Sequence, residues 1–257
     1  EHIFARYLGI TGFQAEPVLV FGEADEHYDS LVKRIKEERP EYEFSSTDKY
    51  SHRLWVVPSD YVNALAAFFE HSGTKYIADG HHRLASSVRV AQEAPDNPLA
   101  QGILCMFMAE EQVGIESFER WFDLSSDSFE LTDLEAQYDV SPIDAPSENF
   151  QGASFQLFFE GNWHSLHSKK LKGEVLPSQE LLDTILNPLL DVVDPRNDAR
   201  LHYHRQTELD RSAEMLQQGY ALGFRLPPVS VKLLKEIAVN KGSMPPKSTY
   251  IEPKLRS

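Results

Sequence analysis

Cysteine is almost missing from these 257 residues. The single thiol, Cys105, has no partner for an intrachain disulfide, which excludes the secreted disulfide-scaffold class. It lies in the apolar stretch from Gly102 to Met108 and is expected to be a buried structural thiol. No apolar run approaches the ~20 residues that a membrane-spanning helix needs, so no membrane partner is expected. Positive charge is also scarce. The 25 Lys and Arg stand against 40 Asp and Glu, a formal net charge of -15. That balance argues against nucleic acid, because affinity for a phosphate backbone comes mainly from clustered basic side chains. The sequence opens without a charged, apolar and small-residue export signal, and the expected location is cytoplasmic.

What is present suits a folded protein: 41% apolar and 25% charged residues, enough for one large core or two modest ones. The first third alternates strand and helix patterns. Pro17 to Phe21 reads as a buried strand and Glu26 to Glu38 as an amphipathic helix. His52 to Val57 reads as a strand, and a helix starts near Ser59 and stops at Gly73. Lys75 to Ala78 is a strand, Leu84 to Glu93 a helix, and Ile103 to Met108 a central strand. These elements define an α/β (α+β) domain over residues 1–124. Residues 125–150 lose the pattern and read as a connecting segment. Residues 151–257 read as a smaller α+β subdomain. It starts with a hairpin, Phe155 to Phe159 and Trp163 to Leu166 around Glu160-Gly161-Asn162. Ser178 caps a helix to Leu190, and Thr207 with Asp210 opens a helix closed by Gly219. A strand from Tyr220 to Leu226 and a helix from Ser230 to Lys241 follow.

The most informative stretch is Tyr76-Ile77-Ala78-Asp79-Gly80-His81-His82-Arg83-Leu84-Ala85. A strand ends, glycine permits a sharp turn, and a helix begins within three residues. The first turn of a helix offers unpaired N–H groups and the positive end of its dipole, a site for an anion. Gly80 lets the backbone approach a phosphate closely. Arg83 adds a planar donor fork, and His81 and His82 bring groups able to move a proton near neutral pH. Asp79 reads either as a helix cap or as an oxygen ligand for Mg2+. The segment Met244 to Thr249 holds one cation, Lys247, and two hydroxyls, Ser248 and Thr249, on a proline-stiffened backbone. His202 and His204 share a strand face, but no third ligand stands close in sequence, and no protein metal site is expected.

The stretch Tyr76 to Ala85 resembles the signature of the DUF1015 family, a large bacterial and archaeal family of unknown function. Met244 to Ser257 resembles the closing motif of that family. His52 to Trp55, Asn187 to Leu190 and Asp194-Pro195-Arg196 resemble further parts of it. Members usually carry a longer region before the first strand, with a Pro-Tyr-Asp segment and a His-Glu pair; Glu1 is similar to the glutamate of that pair. More distantly, DGHHR resembles the nucleotide-phosphate motif of the ParB and sulfiredoxin superfamily, which includes partition proteins, sulfiredoxin and free-serine kinases. The resemblance implies a ParB/sulfiredoxin-like mixed-sheet domain with ATP or ADP and Mg2+ bound. Gly80, His82, Arg83, Lys247, Ser248 and Thr249 would hold the nucleotide, with the MPPKST segment returning to that site.

Asp79, His81, His82 and Glu1 are the catalytic candidates under that resemblance. Sulfiredoxin chemistry needs a reactive cysteine beside the phosphate motif, and none stands there. Partition proteins continue as a helical DNA-binding domain, whereas this chain continues as a hairpin and mixed α/β. The expected function is phosphoryl transfer from a nucleotide to a small hydroxylated metabolite such as free serine. The alternatives are nucleotide sensing without turnover and, behind it, a DNA-associated role.

Overall fold

Two hydrophobic patterns, one in each part of the chain, build two units. A computed structural model of the protein places the division at Val113/Gly114, giving units Glu1–Val113 and Gly114–Arg256. It describes residues 2–47, 50–124, 128–170, 175–206, 210–240, 242 and 244–252.

The first unit is organised around β1, Val18–Gly22. Its Val18, Leu19 and Phe21 are buried, and it pairs antiparallel with β4, Tyr76–Asp79, and in parallel with β5, Cys105–Ala109. The sheet order is β4-β1-β5, so the strand expected at the centre stands at an edge. Only the far end of β5, Met108 and Ala109, is buried. Cys105, at its start, is exposed instead of buried.

Helix α1, His2–Thr11, packs along α4, His81–Glu93. Helix α2, Glu26–Glu37, starts at Asp25, whose carboxylate accepts from the Tyr28 N–H at 2.8 Å, a side-chain cap. Its Leu31 and Ile35 turn inward. Helix α3, Ser59–His71, has Pro58 rather than Ser59 in its cap position. Tyr28, Phe68 and Phe107 join α2, α3 and β5 in an aromatic cluster with centroids 4.7–6.0 Å apart. The strand expected over His52 to Val57 appears as β3, Ser51–Leu54, and pairs with a strand that was not expected, β2 Tyr42–Ser45, in a hairpin exposed along almost all its length. β2 is only four residues long and exposed throughout, too short a run to stand out in the sequence.

The second unit carries a six-stranded antiparallel sheet in the order β11-β7-β12-β9-β10-β8. Its strands are β7 Phe118–Phe122, β8 Tyr138–Ile143, β9 Phe155–Phe159, β10 Asn162–Ser168, β11 Leu201–Arg205 and β12 Leu222–Arg225. A short pair, β6 Gly114–Glu116 with β13 Tyr250–Glu252, lies apart from that sheet. β7 therefore belongs here and not to the first domain, which moves the expected boundary from 124 back to 113. The segment 125–150, expected to be a connection, supplies the edge strand β8, with Tyr138 buried. Pro142 and the serines hide this strand in the sequence, and an edge is where proline is tolerated in a sheet.

The β9–β10 hairpin turns on Glu160 and Gly161 with φ of 46° and 89°, the mirror-image turn that suits strand twist. Asn162 is already the first residue of β10. The expected helix 178–190 is interrupted: α5 Pro177–Leu181, a wide π turn Leu182–Leu186, and α6 Asn187–Leu190. Pro188 has no N–H for the Thr184 carbonyl, and Gln137 Nε2 donates to that oxygen instead at 3.3 Å. Leu181, Ile185 and Leu190 pack against Phe155, Leu157, Leu166 and Phe224 on one sheet face. Trp121, Phe158 and Trp163 on the other face meet Met215 of α7, Ser212–Gln217. Thr207, the expected start of that helix, is outside the described residues. Ser230 caps α8, Val231–Val239, through the Leu233 N–H.

Candidate functional site

Strand β4 delivers its last residue, Asp79, to a one-residue turn. Gly80 has φ 92°, a conformation that costs an L side chain strain, and it is the cap residue of α4. The first helical hydrogen bond runs from the Leu84 N–H to the Gly80 carbonyl at 3.0 Å. No side chain caps this helix, and its first turn holds no acid. The positive end of the α4 dipole therefore opens at Gly80 with no acidic side chain in its first turn. Farther along, Ser86 is buried and donates to the His82 carbonyl at 2.7 Å.

Arg83 folds back across the turn. A Cβ added at Gly80 would lie 3.0 Å from its Nε and Nη2, so glycine is needed for the guanidinium to sit there. Nη1 donates to Glu16 at 2.5 Å, and Nη2 stands 3.4 Å from Asp79 Oδ2. Its Nε is buried and has no partner. Asp79 thus lies within reach of Arg83, and the cap position of α4 itself is held by Gly80. His81 and His82 are exposed on the first turn. Successive helical residues point about 100° apart, so one of the two at most faces an anion over Gly80.

Asp79, Gly80, His81, His82 and Arg83 are therefore together, as the spacing predicts. Glu16 was not visible in the sequence. It is 67 positions from Arg83, and only the pairing of β1 with β4 beside it brings the two close. Glu1 is outside the described residues. Lys247, Ser248 and Thr249 belong to the second unit. There Ser248 is buried, donates to the Pro245 carbonyl and lies 2.6 Å from Ser178 Oγ. Its hydroxyl anchors the segment. Lys247 has φ 55° and places Nζ 5.2 Å from the centre of the Phe118 ring.

On β11, His202 leans on the Tyr220 ring with centroids 4.8 Å apart, and burial lowers the pKa of His204. Among the described residues, no group of three His, Cys, Asp or Glu could hold a metal ion. No helix among them is long and apolar enough to cross a membrane.

Residues 1–194 match the family described as "Protein of unknown function (DUF1015)". The comparison with curated proteins gives no match. Three solved structures share a loose outline. A mutant free serine kinase in complex with ADP is 13% identical, with a TM-score of 0.46, over 97% of this chain and 78% of that one. A conserved hypothetical protein from Pyrococcus furiosus is 16% identical, with a TM-score of 0.43, over 97% and 81%. SbnI with a C-terminal truncation from Staphylococcus aureus is 10% identical, with a TM-score of 0.46, over 99% and 76%.

Proposed function

The chain belongs to the DUF1015 family, and we propose that its first unit, as a ParB/sulfiredoxin-like domain, binds the phosphates of ATP or ADP at the turn between β4 and α4. The reaction proposed is transfer of a phosphoryl group to a small hydroxylated metabolite, with free serine the first acceptor to try. One observation carries the reading: an uncapped helix start, opened by a left-handed glycine and roofed by an arginine with a partnerless Nε.

In the transfer, the acceptor hydroxyl oxygen bonds to phosphorus as the bond from phosphorus to the nucleotide oxygen breaks. The hydroxyl proton passes to a base, His81 or His82 in this proposal, and the shortened nucleotide leaves. The α4 amides and Arg83 would hold the phosphoryl oxygens where negative charge gathers. Asp79 and Glu16, two hard oxygen donors beside the turn, fit Mg2+, which is commonly held by one or two carboxylates plus substrate phosphates. When bound, that ion would supply charge neutralisation.

The test is incubation of the full chain with ATP or ADP, Mg2+ and serine, read by mass spectrometry. A product heavier by about 80 mass units is expected, and Arg83→Ala should abolish nucleotide binding. A folded protein that takes up neither nucleotide overturns the proposal.

A second reading is nucleotide sensing without turnover. It draws support from the ion pairs already made by Arg83: an arriving phosphate displaces Glu16, and that exchange can be read out elsewhere without chemistry. Saturable nucleotide binding with no phosphorylated product would select it. A DNA-associated role would demand duplex binding that weakens with salt, and none is expected at a net charge of -15.

A further inference from the structure

Side chains alternate across the β2–β3 hairpin, and its two faces differ in chemistry. One carries the Glu43–Arg53 ion pair and the Ser45–Ser51 rung. The other carries Tyr42 opposite Leu54, Phe44 opposite His52, and Ser46 opposite Tyr50. Contacts within this second face hold it in shape. The Phe44 and His52 rings stack with centroids 4.9 Å apart, and Ser46 Oγ lies 2.9 Å from His52 Nε2. Trp55 Nε1 donates to the Glu38 carbonyl at 2.8 Å and fastens the base of the hairpin to the end of α2. Yet Tyr42, Phe44, Tyr50 and Leu54 stand between 51% and 66% exposed.

That is a large apolar area to leave in water. With Val56 just beyond them, these side chains expose roughly 500 Å² per copy, given that one aromatic side chain has about 150–250 Å² to bury. A patch of this size on a single chain often marks a contact surface. A two-stranded ribbon with neither face covered is also marginal in water, and a packed face is what stabilises it.

The chemistry of the face selects its occupant. None of its six side chains is an acid, a lysine or an arginine, so a partner chosen by charge finds no handle there, although the chain carries -15. A second copy brings a surface of the same kind and size. Two copies joined through it bury about 1,000 Å² together, the size at which a specific interface begins. The face is also self-complementary. A two-fold axis across the Phe44–His52 rung lays the bulky Tyr42 over the small Ser46 of the partner subunit, while the aromatic rung stacks on its own image.

We propose that the chain forms a two-fold dimer through this face of the β2–β3 hairpin. The contact is apolar and the two copies are both acidic, so salt strengthens it by screening their repulsion. The dimer does not rest on the nucleotide reading of the β4–α4 turn.

The experiment is sedimentation equilibrium of the full chain from about 1 μM to about 1 mM. A monomer–dimer equilibrium is expected, and its association constant should rise severalfold between about 0.05 M and about 0.5 M salt. Phe44→Asp on one strand and Leu54→Asp on the other should each weaken association at least about tenfold. Ser51→Ala, on the opposite face, should leave it unchanged. All three positions are exposed, so at concentrations where the parent is monomeric the variants should share its denaturant midpoint. A chain that stays monomeric throughout the range overturns the proposal. So does a dimer that both Asp variants leave intact, one that salt weakens, or association that runs past two copies.

Discussion

Arg83 in the first unit and Arg225 in the second meet a carboxylate at nearly equal range, 3.4 Å to Asp79 and 3.5 Å to Glu119. Their side chains differ in exposure, 30% against 1%. At the turn water screens the pair, so it can be exchanged for a ligand at little cost. Inside the second unit both charges have lost their hydration, and removing one partner strands the other. The difference extends to the two sheets. Among the described residues, the buried polar side chains of the first unit are Ser86 and Ser87, whereas the second unit buries three serines together with Glu119, Arg120, Gln156, Glu180 and Arg225. The first unit presents exchangeable charges at one junction. The second locks its charges into a close-packed interior.

The largest expected effect tests that packing. Gly223 faces Trp121, and a Cβ added there would lie 2.5 Å from two ring atoms. Neither the indole, buried against Phe158 and Trp163, nor the paired strands can give way easily. Gly223→Ala should lose about 3 kcal/mol, read from urea denaturation. A loss below about 1 kcal/mol would mean that this interior is as yielding as a surface, and the contrast would collapse.

Gly80→Ala probes the other side. The residue has φ 92°, and the atoms 3.0 Å away are the far end of Arg83, which can swing aside. The expected loss is about 1–2 kcal/mol, the left-handed cost alone. Because Arg83 must move, nucleotide affinity should fall by more than stability does. Equal affinity in the two proteins would remove Arg83 from the phosphate site.

Local geometry was legible and tertiary geometry was not. The helix starts at Asp25 and Ser230, the β9–β10 turn and the whole Asp79 to Arg83 cluster depend on residues within a few positions of each other. Their side chains announce the geometry. Glu16 reaches Arg83 only through strand pairing, and no periodicity encodes that. Arg120 reads in sequence as one more charge in the stretch Phe118-Glu119-Arg120-Trp121, where a charged pair normally signals an exposed edge. It is buried because β7 is an interior strand and the Lys247 segment and the Tyr203 ring lie against its guanidinium. The π turn was hidden for a similar reason: Pro188 warns of a break, but Gln137, which repairs it, lies 47 positions from Thr184.

A smaller effect, visible as a slope, comes from Glu119. Burial is the chief cause that raises its pKa above the usual carboxylate value, with the Trp121 N–H bond and Arg225 acting the other way. A raised folded-state pKa means that its contribution is fully present below the unfolded pKa of about 4.5 and is lost as pH rises through the folded value. Glu119→Gln removes that loss. Between pH 4.5 and 7, the stability of the variant relative to wild type should therefore climb. A difference curve that is flat or falls with pH would place Glu119 in water.

The smallest effect lies in the hairpin of the first unit. Arg53 Nε stands 2.6 Å from Glu43 Oε1 across the β2–β3 ladder, yet both side chains are more than half exposed. Cross-strand geometry favours the pair, while screening and the ordering of two long side chains oppose it. Arg53→Gln should cost no more than about 0.5 kcal/mol, and 0.5 M salt should erase even that. Set beside the Gly223 result, this measurement completes the scale. A short contact in an exposed two-stranded ribbon carries little, and a single added methyl between the closed strands of the second sheet carries several times more. A loss above about 1 kcal/mol at Arg53 would show that something other than water covers the hairpin in solution.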